Sequence, residues 1–151
     1  MRAVNGSGTS GNSNTITATT AGALASEPTV AASGVSFSSV GATDMAVSWT
    51  NGDGATRIVV ARAGSAVAGT PSDGSTYAAS SGFGSGATIA ANEYVVFNGS
   101  GSSVTVTGLS PLTTYNFAVF EFNGSGGTEN YLTASPGTGS RATPAATSTR
   151  N

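Results

Sequence analysis

The sequence predicts an all-β fold, and three observations lead to this prediction. No stretch of the 151 residues keeps a sustained helical period. The apolar runs are short and rich in Val, Ile, Phe and Tyr, residue types that favour strands. Clusters of Gly, Ser, Asn and Asp separate these runs, as expected where turns connect strands.

The first clear strands lie between residues 45 and 63. Apolar and small polar side chains alternate from residue 45 to residue 50, so that Val47 and Trp49 share one face of a strand. The tetrapeptide Asn51-Gly52-Asp53-Gly54 predicts a turn. Residues 56–63 then predict the next strand, because they contain a run of β-branched side chains.

The second half of the chain predicts three more strands. A short one is expected around Val104 and Val106, which alternate with threonines. Residues 113–122 form the most convincing strand, with Tyr115 and Phe117 on one face. A last strand is expected within residues 131–143, after a Gly-rich turn.

The stretch 64–101 is too long to be one structureless loop in a compact domain. It contains small apolar groups around Tyr77 and Phe83 and a denser one at Tyr94–Phe97. We therefore expect extra strands at residues 75–79 and 93–98, separated by a Gly-rich connection.

The N-terminal arm, residues 1–26, resembles the end of the chain. Residues 2–8 are similar to residues 120–126, and both segments end in Asn-Gly-Ser-Gly. Residues 15–19 are likewise similar to residues 140–144. Two matches in the same order indicate that the arm is the last hairpin of a preceding copy of the same domain. The alternative is coincidence in a chain rich in Gly and Ser.

Two motifs carry a resemblance to a known family. Glu27-Pro28-Thr29-Val30 precedes the tryptophan-containing Val47-Ser48-Trp49-Thr50. Further on, Leu109-Ser110-Pro111-Leu112-Thr113-Thr114-Tyr115 has the spacing Leu-x-Pro-x-Thr-x-Tyr. With both motifs in this order, residues 27–143 resemble a fibronectin type III domain, in an enlarged variant found in bacterial secreted and surface-anchored multidomain proteins.

The resemblance implies an immunoglobulin-like antiparallel β-sandwich with extra strands in the insertion 64–101. It implies a first strand at the Pro-containing segment, and a hydroxyl of Tyr115 that hydrogen-bonds to backbone a few residues upstream. Residues 1–26 are then an arm and residues 144–151 a linker. Five residues are expected to form the structural core between the sheets: Val47, Trp49, Leu109, Tyr115 and Phe117.

Composition excludes several classes of function. The net charge is −2 and the five basic residues are scattered arginines, so nucleic-acid binding is not expected. No run of 18 apolar residues is present, and membrane insertion is therefore not expected. The absence of Cys and His removes thiol nucleophiles and the usual transition-metal ligands, and no cofactor is expected.

The acidic residues do not suggest an active site. They are Glu27, Asp44, Asp53, Asp73, Glu93, Glu121 and Glu129. Most fall in predicted turns or at strand ends, and the abundant serines have no His to activate them. Asp53 and Asp73 stand next to glycines, and turn chemistry explains both without a calcium ion. We therefore expect no enzymatic activity and no metal site.

Phe120 and Phe122 are the candidate binding residues. Each lies an odd number of residues from Phe117 and Val119, so on a strand their side chains point away from the predicted core. Either the 64–101 insertion covers them, which is the favoured interpretation, or they form an open aromatic strip that could stack on sugars.

These observations favour a non-catalytic spacer or adhesion module of a repetitive extracellular or cell-surface protein, with its export signal outside this sequence. Neighbouring domains or like subunits are the expected partners. A polysaccharide-binding module is one alternative. Another is a self-assembling fibre subunit in which residues 14–20 pair with a sheet edge as a donor strand.

Overall fold

The computed structural model describes residues 22–146. The proposed hairpin remnant at residues 2–19 and the last five residues of the linker lie outside this range. The described part contains nine strands, and none of its residues forms a helix able to cross a membrane. The strands are β1 (Ser33–Ser38), β2 (Met45–Thr50), β3 (Thr56–Ala63), β4 (Thr88–Ala90), β5 (Glu93–Gly99), β6 (Ser103–Val106), β7 (Thr114–Asn123), β8 (Asn130–Tyr131) and β9 (Gly137–Ala142).

The strands form two antiparallel sheets that pack as a sandwich. The smaller sheet has the order β1-β2-β6. The larger sheet has the order β4-β5-β3-β7, and β7 pairs at its far edge with β9 along its first half and with β8 at its end. The all-β fold and the sandwich predicted from the sequence are both confirmed.

Two of the expected strands are wrong. Residues 75–79 cross the larger sheet as irregular backbone, held by bonds such as the one from the Ala87 N–H to the Ala78 carbonyl (2.8 Å). The additional edge strand is β4, which precedes the correctly expected β5. The Pro-containing segment 27–30 is also not a strand, because the carboxylate of Asp53 accepts the N–H groups of Thr29 and Val30. The first strand is β1.

The larger sheet is buried on both faces. Toward the smaller sheet lies the first core, which includes Val59, Phe117 and Val119. On the opposite face lies a second core that contains Ile58 and Phe120. Strand β7 is therefore buried at seven of its ten positions, as expected for a central strand covered on both sides.

The second core is covered mainly by irregular chain. We call residues 64–79 the loop lid; its Val67 and Tyr77 pack on this core together with Ile89 of β4. Beyond the lid, the chain passes around the sheet edge to β6, where the Phe83 N–H donates to the Thr107 carbonyl (2.9 Å). The insertion thus covers one face and closes one side of the sandwich.

Candidate functional site

The five residues predicted as the structural core lie between the two sheets. All belong to the first core, and their exposed fractions range from 0% for Val47 to 5% for Trp49. The Trp49 ring meets Phe97 edge-on, with ring centroids 5.2 Å apart. The hydroxyl of Tyr115 accepts the N–H of Ser110 (2.9 Å), which is the backbone contact implied for the corner tyrosine.

Phe120 and Phe122 do not form an open aromatic strip. Their exposed fractions are 2% and 4%, and Phe122 packs against the ring of Tyr131 with centroids 4.7 Å apart. The two rings are therefore covered, which agrees with the favoured interpretation and not with an open strip. The physical reason is that the loop lid and β8 supply the apolar cover that these rings need.

One ion pair is buried at the end of the first core. Arg57 and Glu121 face each other across β3 and β7, and two arginine nitrogens contact the two carboxylate oxygens at 3.0 Å each. Glu121 also accepts the N–H groups of Gly52 and Gly54. Arg57 donates to the carbonyls of Gly54 and of two residues in the β5–β6 turn, Ser100 and Gly101. The pair thus joins two turns to the central strands.

Glu93 holds the loop lid against the sheet. Its carboxylate accepts the N–H groups of Ala68 (2.7 Å) and Gly69 (2.8 Å) and contacts Arg62 at 2.8 Å. Gly69 is required for this close approach, since a Cβ there would lie 2.7 Å from the Cβ of Ala90. The segment is irregular, and the carboxylate replaces the strand partner that its backbone lacks.

Glu129 and Asp73 hold the lid from the other side. Glu129 accepts the Thr76 hydroxyl (2.5 Å) and the Gly127 N–H (2.8 Å). Asp73 accepts the N–H of Tyr131 at 2.8 Å. Burial by itself would raise the pKa of Glu129, but these two hydrogen bonds and those of nearby backbone together hold it below its usual value. Burial, with a smaller effect of the Glu129 charge, raises the pKa of Tyr131.

Asp53 has a similar structural role at the surface. The Thr29 hydroxyl donates to it at 2.7 Å, and this bond, followed by that from the Val30 N–H, holds the pKa of Asp53 below its usual value. Within residues 22–146, no group of three or more acidic side chains is arranged to hold a metal ion.

The sandwich has two distinct ends. Ala25 donates its N–H to the Thr128 carbonyl (2.9 Å), and the Asn123 side chain donates to the Ser26 carbonyl (2.8 Å). We call this the leading end, formed by residues 22–30, 51–55 and 123–130. At the trailing end, formed by residues 109–114 and 143–144, the Thr143 N–H donates to the Thr113 carbonyl (3.0 Å). The Thr143 hydroxyl accepts the Thr113 N–H (3.0 Å) and donates to the Ser110 carbonyl (2.6 Å).

The sequence profile of the fibronectin type III domain matches residues 26–135. This match covers most of the chain and includes every strand except β9. The chain belongs to the fibronectin type III family. Domains of this family are commonly structural or adhesion modules and are generally non-catalytic.

The chain is similar to solved structures of different origin, among them the following three. A computer-redesigned β-sandwich protein is 18% identical, with a TM-score of 0.49, and the match covers 78% of this chain and 92% of the other. A titin fragment is 17% identical (TM-score 0.46; 76% of this chain, 32% of the fragment). The fibronectin type III domain of human collagen XX is 23% identical (TM-score 0.40; 76% and 100%). No curated protein matches the sequence.

The surface of this fibronectin type III domain carries shallow clefts, and two of them border residues described above. One, of about 160 Å³, lies beside Phe122 and Tyr131 and is lined by Thr76 and Glu129. The other, of about 220 Å³, lies over the paired strands β7 and β9 beside the loop lid and is lined by Ala66, Asn116 and Thr138. Both are smaller than the 300–1,000 Å³ typical of pockets for small molecules. The arrangement of Glu129 is suited to holding backbone rather than to transferring protons.

Sequence reasoning missed the buried role of the carboxylates. Glu121 and Glu93 fall on strands, and their neighbours in the chain give no sign that they are buried. One signal was available, since an acidic residue within the apolar run 117–122 is unusual without a basic partner on an adjacent strand. Arg57, at the start of the preceding apolar strand, is that partner.

Proposed function

We propose that this fibronectin type III domain is a non-catalytic structural spacer or adhesion module in a repetitive extracellular or cell-surface protein. The proposal is carried by the positions at which the chain enters and leaves the sandwich. Ala25 lies at the leading end and Thr143 at the trailing end, separated by the ten-residue strand β7. Ten residues of strand span about 30 Å, so each copy in a row would add its full length to the reach of the protein.

Two further features support a passive module. Five of the seven acidic side chains hold loops or turns of the domain itself, namely Asp53, Asp73, Glu93, Glu121 and Glu129. The low content of charged residues, 8%, suits a stiff extracellular β-protein better than a cytosolic enzyme.

The two alternative functions, polysaccharide binding and fibre assembly, have no support from the described residues. A polysaccharide-binding module was suggested by Phe120 and Phe122, which are buried. A fibre subunit was suggested by residues 14–20, which lie outside the described range. The spacer is therefore the function that we put forward, and the two alternatives become outcomes of its test.

The test combines mass and binding. We would measure the solution mass of the full chain, and of a chain that begins at residue 22, by light scattering on a sizing column. This cut keeps Ala25 and Ser26, which hydrogen-bond to the 123–130 segment. In parallel, electrophoresis through gels containing soluble polysaccharides would detect glycan binding.

A spacer is expected to be monomeric in both forms and to migrate equally in every gel. Assembly of the full chain that is lost on removal of residues 1–21 would overturn the proposal in favour of a fibre subunit. Retardation by one polysaccharide and not by others would overturn it in favour of a binding module.

A further inference from the structure

Three large apolar side chains are exposed in the described part of the chain, and all lie at its two ends. Leu24 and Val30 belong to the leading end, with exposed fractions of 45% and 54%. Leu112 belongs to the trailing end and is 77% exposed. The sides of the sandwich expose none, so this distribution follows the long axis of the domain.

Leu112 is also held in an unfavourable backbone conformation. Its φ is +52°, in the left-handed region that a leucine rarely adopts and that costs an L-residue free energy. Its N–H donates to the Pro144 carbonyl (3.2 Å), at the point where the chain leaves the domain. Glycine would adopt the same turn without this cost. The domain itself therefore gives no reason for a leucine here, and strain of this kind points to a role in function.

Val30 is held in place at the opposite end. Its N–H donates to Asp53 (2.8 Å), and the Asp53 N–H donates back to the Val30 carbonyl (3.1 Å). Leu24 directly precedes Ala25, which is bonded to Thr128. Both side chains are thus presented from backbone that is fixed to the sandwich.

The internal sequence similarity indicates that the trailing end of one copy is joined to the leading end of the next by a short connection. If residues 15–19 correspond to residues 140–144 of a preceding copy, then Thr19 is the counterpart of Pro144. Five residues later the chain reaches Leu24, and five residues span at most about 18 Å. In the preceding copy, the counterpart of Leu112 would be hydrogen-bonded at the start of this short connection.

We propose that Leu112 of one copy packs against Leu24 and Val30 of the copy that follows it in the chain. This apolar joint would bury three side chains that an isolated domain leaves in water, and it would fix the angle between neighbouring copies. The inference rests on the proposed role of the domain in a row of copies. It adds that the row is stiff, and it identifies the residues responsible.

The test is a tandem chain in which residues 1–144 are followed directly by residues 20–151. The sequence contains no Cys, so Ser103→Cys in each copy, at an exposed position on β6, provides two unique spin labels. Electron–electron double resonance then gives the distribution of distances between copies. We expect one narrow distribution, because the joint restricts the hinge.

The same substitution placed in either copy supplies a matched control. Leu112→Gly in the first copy should broaden the distribution at least two-fold, whereas in the second copy, which has no successor, it should change nothing. Leu24→Ser should act only in the second copy. In the single chain, Leu112→Gly is expected to keep the melting temperature, since relief of backbone strain offsets the greater freedom of unfolded glycine.

The proposed joint would be refuted by a broad distance distribution in the unsubstituted tandem chain. It would also be refuted if Leu112→Gly had equal effects on that distribution in both copies. Neither result would touch the spacer proposal, because copies joined by free hinges still extend the chain. Conversely, polysaccharide binding or arm-dependent assembly would overturn the spacer proposal whatever the distance distribution.

Discussion

The two faces of the larger sheet are covered in different ways. One is covered by the smaller sheet, whose strands pair with each other in antiparallel ladders, with one irregularity in β1. The other is covered by the loop lid, residues 64–79, which contains no strand. Both cores nevertheless exclude water, since Trp49 is 5% exposed and Phe120 is 2% exposed.

The difference teaches how an irregular segment can cover a core. A sheet satisfies its own backbone through ladder hydrogen bonds, whereas a loop must find other partners. Here a carboxylate supplies two of them, since Glu93 accepts two lid N–H groups. Glu129 also holds the lid, by accepting the side-chain hydroxyl of Thr76. Away from the Arg57–Glu121 pair at its end, the sheet-covered core should therefore respond mainly to loss of apolar volume, whereas the loop-covered core should also respond to loss of charge.

The largest expected effect is in the sheet-covered core. Trp49→Ala removes the ring that packs on Phe97 and leaves a cavity between two sheets that cannot easily close. We expect it to lower the free energy of unfolding by about 3–5 kcal/mol, measured by denaturant melts. Phe120→Ala is the matched change in the loop-covered core and should cost less, because loops relax into a cavity more readily than paired strands. A larger loss for Phe120→Ala would contradict the comparison.

The next effect tests the charge that holds the lid. Glu93→Gln keeps the size of the side chain but weakens its bonds to Ala68, Gly69 and Arg62. We expect a loss of about 1–3 kcal/mol and faster hydrogen exchange at the amides of residues 68 and 69. Glu27→Gln, at an exposed position, is the control and should leave both measurements unchanged. Unaltered exchange in Glu93→Gln would show that the lid does not depend on this carboxylate.

The smallest effect is a dependence on pH. The pKa of Glu129 is lower in the folded chain than its usual value, so the folded state binds its proton less readily than the unfolded state. Its contribution to stability is therefore complete above the unfolded pKa of about 4 and is lost as pH falls through the lower folded value. Melts between pH 6 and pH 3 should show a smaller loss in Glu129→Gln than in the unsubstituted chain.

If the free energy of unfolding fell equally with pH in Glu129→Gln and in the unsubstituted chain, Glu129 would have no role in the loss of stability at low pH. Asp53 provides an internal comparison, since its pKa is also lowered, chiefly by the Thr29 hydroxyl. Asp53→Asn should retain the part of the pH dependence that comes from Glu129.

Local pattern was enough to predict much of the fold. The alternation around Val47 and Trp49 predicted β2, and the apolar runs predicted β3, β5 and β7. The contact between Tyr115 and the backbone of Ser110 was implied by the family resemblance. The path of residues 75–79 could not be predicted in this way. Tyr77 looks like a strand residue, yet its ring packs on Tyr131 and its backbone finds partners outside any ladder.

The sequence alone thus determined most of the longer strands and which of their side chains share a face, because a strand repeats every two residues whatever surrounds it. Only the tertiary structure decided what covers each face. The side chain of Phe120 points to the same face of the strand whether that face is open or covered by a second core. The lid that covers it is held by residue pairs 24 or more positions apart in the chain, such as Glu93 with Gly69 and Glu129 with Thr76. Such distant contacts leave no periodic trace in the chain, since each depends on where the whole backbone places two unrelated residues.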